Sequence, residues 1–177
     1  GKETVVALVR LYLALLGRQP TIAEFAEKAA FLTAPNGLVA CSSACRQTRR
    51  QTIVDALAAT PQLQARFGGT LPSTTAFVTK LFESILGRSP AAGERAYWEF
   101  PLDSQVVTRK AALRQFTEFA EAVARHDAET SVVLAYAGLL GRMPSDAERA
   151  EWRGGGAGGA SQHRPAPGAP RRYRAAP

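Results

Sequence analysis

Three arginines stand at the same point of a recurring pattern, and they are the first residues in this chain that invite a chemical reading. Arg18, Arg88 and Arg142 each follow a glycine at the end of an apolar helical stretch and precede x-Pro. A guanidinium there has two uses. It can present a planar fork to an external anion, or it can offset the negative end of its own helix and pair with Glu24, Glu94 or Glu148 six residues on. Arg46, Arg49 and Arg50 make a second cluster at i, i+3 and i+4. One basic face at a helix start suits phosphate or an acidic sugar, and it equally suits plain solvation. Cys41 and Cys45 are the only cysteines. With no histidine nearby they make a poor zinc set. Their spacing fits a small disulfide in an exported protein, or two free thiols in a cytosolic one.

Catalytic chemistry has little to work with. His126 stands alone beside Asp127, and His163 lies near the C-terminus. There is no G-x-S-x-G, no H-E-x-x-H, no Walker loop and no calcium-loop pattern. Gly154 to Gly159 satisfies G-x-G-x-x-G, but it follows no strand. Pro165, Pro167 and Pro170 forbid the helix whose N-terminus would hold a pyrophosphate. Tyr173 between Arg172 and Arg174 has the basic-aromatic character of single-strand binders, in one triplet only. The expectation is a non-enzymatic chain with no catalytic, cofactor-binding or metal-binding residues and no cofactor.

The elements that carry these residues are helices, and they repeat. Leu11 to Pro20 recurs as Leu81 to Pro90 and again as Ala135 to Pro144. Arg18 and Arg88 are 70 residues apart, Arg88 and Arg142 only 54. A second landmark, Leu57 to Leu63 aligned with Leu113 to Phe119, has an offset of 56. The first copy therefore carries about fourteen extra residues near positions 32–46, where Pro35-Asn36-Gly37 reads as a loop. The underlying unit is about 55 residues, a length typical of stacked helical modules.

Leu8, Leu11, Tyr12 and Leu15 fall at i, i+3, i+4 and i+7, as do Val78, Leu81, Phe82 and Ile85, so each set makes one wide apolar face. Gly17, Gly87 and Gly141 sit where a left-handed residue stops a helix, and the proline three positions on prevents its continuation. Thr21-x-x-Glu24 and Ser145-x-x-Glu148 have capping-box form, while Ala91-x-x-Glu94 keeps only the glutamate. Trp98 and Trp152 each lie eight residues after a proline. Further helices are predicted at about 49–59 and 107–125, with a short one opened by Thr60-Pro61. No segment alternates with period two. The fold class is all-α, made of tandem helical repeats.

The pattern leucine-aromatic-x-x-leucine-leucine-glycine-arginine-x-proline, followed by an acid and a tryptophan, resembles the bacterial domain-of-unknown-function family 4214. Leu81, Phe82, Leu86, Gly87, Arg88, Pro90, Tyr97 and Trp98 carry the resemblance best. The first copy matches from Leu11 to Pro20 but lacks the tryptophan, and the third matches from Tyr136 to Trp152. Members of that family occur in tandem within secreted and surface-layer proteins, often beside calcium-binding repeats. The resemblance implies a bacterial secreted or cell-surface setting and an adhesive or structural role. It implies no enzyme activity.

Four regions follow. Residues 1–73 are a first repeat with its loop near 32–46, residues 74–127 a second, residues 128–153 a truncated third, and residues 154–177 a disordered Gly/Ala/Pro/Arg-rich tail. Two origins fit the abrupt change at Trp152, a linker or a shift of reading frame. The net charge of +7 includes four tail arginines without an acid. Arginine outnumbers lysine, as a GC-rich genome produces, so basicity argues only weakly for a polyanion. The expected partner is a protein or an acidic glycan, with a basic nucleic-acid-binding helical protein as the alternative. No apolar run reaches the ~20 residues that cross a bilayer.

Overall fold

The structure, a computed structural model, describes residues 2–37, 40–69 and 72–155. Among them are nine helices and no strand, so the chain is all-α as predicted. Helix α1 (Lys2–Leu11) continues into a π-turn at Tyr12–Leu16. Next come α2 (Ile22–Thr33), α3 (Ser43–Ala58) and α4 (Pro61–Arg66). Helix α5 (Thr74–Leu81) continues into a second π-turn at Phe82–Leu86. After it follow α6 (Ala92–Asp103), α7 (Arg109–Glu118), α8 (Ala120–Leu140) and α9 (Asp146–Gly155).

Hydroxyl caps set most of the starts. Thr21, Ser42, Thr60, Ser73 and Thr108 each accept a hydrogen bond from the backbone N–H three residues on, satisfying one orphan donor. Glycine sets three of the stops: Gly17, Gly87 and Gly141 have φ of 67°, 77° and 62°. At Gly87 the amide reaches five residues back to the Phe82 carbonyl at 2.8 Å, the hydrogen bond of a π-turn.

Helix α1 runs through the middle of the molecule and packs against α2, α3, α7 and α8. Leu8 and Leu11, with Leu15 of the π-turn that continues the helix, are buried with Ile53 and Val54 of α3 and with Val78, Leu81 and Ile85 of α5 and its π-turn. The opposite face is covered too, because Val9 and Leu13 meet Val133 of α8. A fully buried leucine is worth roughly 1.5–3 kcal/mol, so this one helix anchors much of the fold. Around the π-turn at Phe82–Leu86 the core is aromatic. Phe116 lies 5.1 Å from Phe82, 4.8 Å from Trp98 and 4.9 Å from Phe119, ring centre to ring centre.

Several boundaries differ from expectation. The helix predicted at about 107–125 is two helices, broken at Phe119, whose backbone is extended with φ −62° and ψ 143°. The extended backbone places the Phe119 ring against Trp98 and Phe116, and no proline or glycine announces the break. From Ala120 the chain then runs unbroken for 21 residues, so the boundary expected at 127/128 lies inside α8. Helix α3 starts at Ser43, six residues before its predicted start, which narrows the first-copy loop to the stretch between Thr33 and Ser43. Helix α9 extends through Gly155, into the first two residues of the expected disordered tail. The rest of that tail, residues 156–177, lies outside the described residues.

Candidate binding surfaces

The three Gly-Arg-x-Pro corners share one bonding pattern. Arg18 donates through Nη1 and Nη2 to the two Glu24 oxygens, both at 2.8 Å. Arg88 grips Glu94 at 2.7 and 2.8 Å, and Arg142 grips Glu148 at 2.9 and 2.6 Å. Each Nη1 also reaches the carbonyl of the following residue, Gln19, Ser89 or Met143. Each guanidinium lies over an aromatic ring six residues back: Tyr12 at 5.4 Å, Phe82 at 5.1 Å, Tyr136 at 4.9 Å. The glutamates in turn accept from the backbone N–H of Thr21, Ala91 and Ser145, closing the start of the next helix. Hydrogen bonds from the arginine, aided by that backbone N–H, hold the carboxyls of Glu24, Glu94 and Glu148 down to about 2. An external anion at the Nη groups of these arginines would have to displace an internal carboxylate.

Arg46, Arg49 and Arg50 do not converge. Arg46 donates to the Cys41 carbonyl at 2.6 Å. Arg49 spans the exposed carbonyls at the end of α2, those of Phe31, Ala34 and Pro35, and lies over the Phe31 ring. Arg50 pairs with Glu118 at 3.0 Å. The first two hold carbonyls of the segment that joins α2 to α3, and the third is a strut to α7. Cys41 and Cys45 are joined by a disulfide that straddles the Ser42 cap of α3.

Three further arrangements escaped the sequence reading. Arg66 and Arg125 lie against Gly17 and Gly87, so close that a Cβ on either glycine would sit 2.2 or 1.4 Å from a guanidinium nitrogen. Arg66 donates to the carbonyls of Ala14 and Ser84, and Arg125 to that of Leu86. Next to them, Arg18 Nε donates to Gln62 Oε1 at 3.3 Å and Arg88 Nε to Glu121 Oε1 at 2.6 Å. The covering helices thus correspond at an offset of 59, from Gln62 to Glu121 and from Arg66 to Arg125. That is three more than the 56 at which the apolar pattern aligns. A search for glutamate or glutamine four residues before arginine would have found this register.

The second arrangement is a charged joint between α3 and α7. Arg50 and the buried Arg114 both grip Glu118, at 3.0 and 2.6 Å, and Arg114 Nε donates to Gln51. A cleft of about 500 Å³ opens beside it, lined by Arg10, Arg50, Glu118 and Val6. Burial lowers the Arg10 pKa, Glu118 counters that shift, and Arg50 adds to it. The third is a cleft of about 480 Å³ at the second corner, floored by Trp98 and Phe119 and edged by Tyr97, Arg88 and Glu121. Tyr97 is three-quarters exposed there, and Phe100 stands equally free on α6.

The remaining candidates for chemistry are dispersed. His126 is buried in α8, where desolvation and the neighbouring Arg125 lower its pKa. Its Nε2 has no partner among the described residues. No three His, Cys, Asp or Glu side chains gather as a metal-binding set among the described residues. None of the helices there is long and apolar enough to cross a membrane. His163 and Tyr173 lie outside the described residues, as does most of the glycine run.

No curated protein and no solved structure matches the chain. A family model does, from Val54 in α3 to His126 in α8, under half of the sequence but including the whole second corner and its cover. Residues 54–126 match the family described as domain of unknown function (DUF4214), the one that the Gly-Arg-x-Pro pattern resembles.

Proposed function

We propose that the chain is a non-enzymatic helical interaction module of a bacterial secreted or cell-surface protein, docking a protein or glycan partner by surface contact. The observation that carries this reading is a division of labour among side chains. The arginines singled out for chemistry are already engaged by carboxylates and carbonyls of the chain itself, while large apolar side chains such as Tyr97, Phe100, Leu139 and Trp152 are left exposed. Exposed aromatics with a polar edge are the usual material of a contact surface. The Cys41–Cys45 disulfide supports an oxidising compartment. A phosphate-binding role would instead call for cationic groups facing solvent without internal partners.

The test is retention of the full chain on bacterial cell envelopes, compared with binding to a mixed-sequence DNA duplex, each between ~50 and ~200 mM salt. Envelope retention should be insensitive to salt and lost in Tyr97→Ser, with no appreciable duplex binding. Duplex binding that weakens log-linearly with salt would establish the nucleic-acid alternative instead.

A further inference from the structure

At the third corner four features found at one or both of the other two are present, and none has the cover it has there. Leu139 and Leu140 hold the places of Ile85 and Leu86, which are 0% and 6% exposed, yet they are 84% and 59% exposed. Trp152 holds the place of Trp98 and is 62% exposed against 8%. Gly141 has nothing within 4 Å of a Cβ position where Gly17 and Gly87 meet an arginine. Arg142 Nε has no partner among the described residues, where Arg18 Nε and Arg88 Nε donate to Gln62 and Glu121. The helix also ends differently, in an ordinary α-turn where the two covered corners have π-turns.

Resting on the reading of the chain as an interaction module, we infer that this open corner is the docking site for a helix of a protein partner. The chemistry of that helix is set by what is missing. It carries glutamate or glutamine near its start, to accept from Arg142 Nε, and an arginine four residues later to lie over Gly141. Its apolar face closes on Leu139, Leu140 and Trp152. Thr60-Pro61-Gln62 to Arg66 and Phe119-Ala120-Glu121 to Arg125 are the two forms of that helix the molecule already contains. Charge complementarity favours such an occupant over a featureless apolar one. A bare donor and a row of helix-end carbonyls require an acceptor and a cation at a fixed separation. Continuity favours it as well, because α8 covers the second corner with its first turns and presents the third with its last. Gln19 Nε2 donates to the Pro144 carbonyl at 2.6 Å, so the open corner is braced against the first one.

The experiment titrates the full chain against a fluorescein-labelled, lactam-stapled peptide of residues 107–127, the segment that covers the second corner. Anisotropy should rise saturably, and Trp152 emission should move to the blue. Leu140→Asp changes an exposed residue and leaves the core intact. It should weaken binding on the order of tenfold or more, as should Glu121→Ala or Arg125→Ala in the peptide. Tyr97→Ser in the chain should leave peptide binding unchanged, which separates failure here from failure of contact at α6. Absence of saturable binding overturns the proposal, and so does binding that Leu140→Asp leaves intact. Self-association through Leu139 and Leu140 would assign the face to a second copy. Trp152 emission that is already blue, and reddens on removal of residues 156–177, would assign it to the chain's own end. Either result also overturns the proposal.

Discussion

Replacing the three corner glycines by alanine, one at a time, separates backbone strain from the contribution of the covering arginines. All three residues are left-handed, with φ of 67°, 77° and 62°, so each alanine carries a conformational cost of roughly 1–2 kcal/mol. At Gly141 nothing else is within reach, and that cost is the whole prediction. At Gly87 the new Cβ lands 1.4 Å from Arg125 Nη1, but that side chain is exposed and can swing into water. Its loss is one bond to the Leu86 carbonyl at 3.3 Å, so the total is about 2–3 kcal/mol. At Gly17 the approach is milder, 2.2 Å, yet Arg66 is half-buried and donates to both Ala14 and Ser84. Moving it breaks two charge-assisted bonds and strands a cation with little access to water, for a total of about 3–5 kcal/mol. Urea unfolding of the three variants, with the slope checked against the parent, should rank them Gly17→Ala, then Gly87→Ala, then Gly141→Ala. Equal losses at Gly17 and Gly141 would refute the reasoning, leaving the arginines with no part in the corner. A larger loss at Gly87 than at Gly17 would show that proximity, not burial, decides.

Leu15→Ala and Ile85→Ala should each cost about 2–5 kcal/mol by urea unfolding, whereas Leu139→Ala should stay within about 0.5 kcal/mol of the parent. A large loss at Leu139 would mean that this side chain is not exposed in solution. Joint replacement of Cys41 and Cys45 by serine should lower stability by less than about 2 kcal/mol, because so short a loop removes little unfolded-state entropy. The pKa of His126 is lowered from 6.5 by folding, so the unfolded chain binds the extra proton first. Its stabilising contribution is complete above pH 6.5 and declines as the pH falls below it. His126→Gln should flatten that part of a stability–pH curve, and an unchanged curve would place the titration elsewhere.

What was readable in the sequence was whatever local chemistry decides. Apolar residues at 3.6 spacing, hydroxyl caps and the glycine stops all act within one or two turns, so helix identity and the Arg18–Glu24 pairing could be anticipated. Phe119 could not, because its extended backbone is set by packing against Trp98 and Phe116 rather than by any turn residue. The buried stripe of α8 was obscured for a related reason. His126 and Thr130 lie within it, and both interrupt an apolar pattern that Ala122 and Val133 would otherwise make plain. The cover arginines Arg66 and Arg125 act across 39 to 52 residues of sequence, where no periodicity reaches. An alignment on leucines and phenylalanines therefore slipped by three residues. It matched apolar side chains, whereas the contact that fixes the register is polar.

The excess of arginine over lysine has a structural consequence whatever its genomic origin. At each corner one guanidinium grips both oxygens of a glutamate, touches the carbonyl of the next residue and lies over an aromatic ring. A lysine ammonium is a point charge that could satisfy one of those three at a time. Arg49 spans three carbonyls at the end of α2, and Arg66 bridges carbonyls of the first and second corners, tasks that also need a planar fork. The helix ends near Gly17, Gly87 and Thr33 are closed by arginine side chains, where water or a tightened last turn would otherwise take the free carbonyls. The basic pI of about 10.0 is in part the charge of these internal fasteners, which is why it is a poor guide to what the outer surface binds.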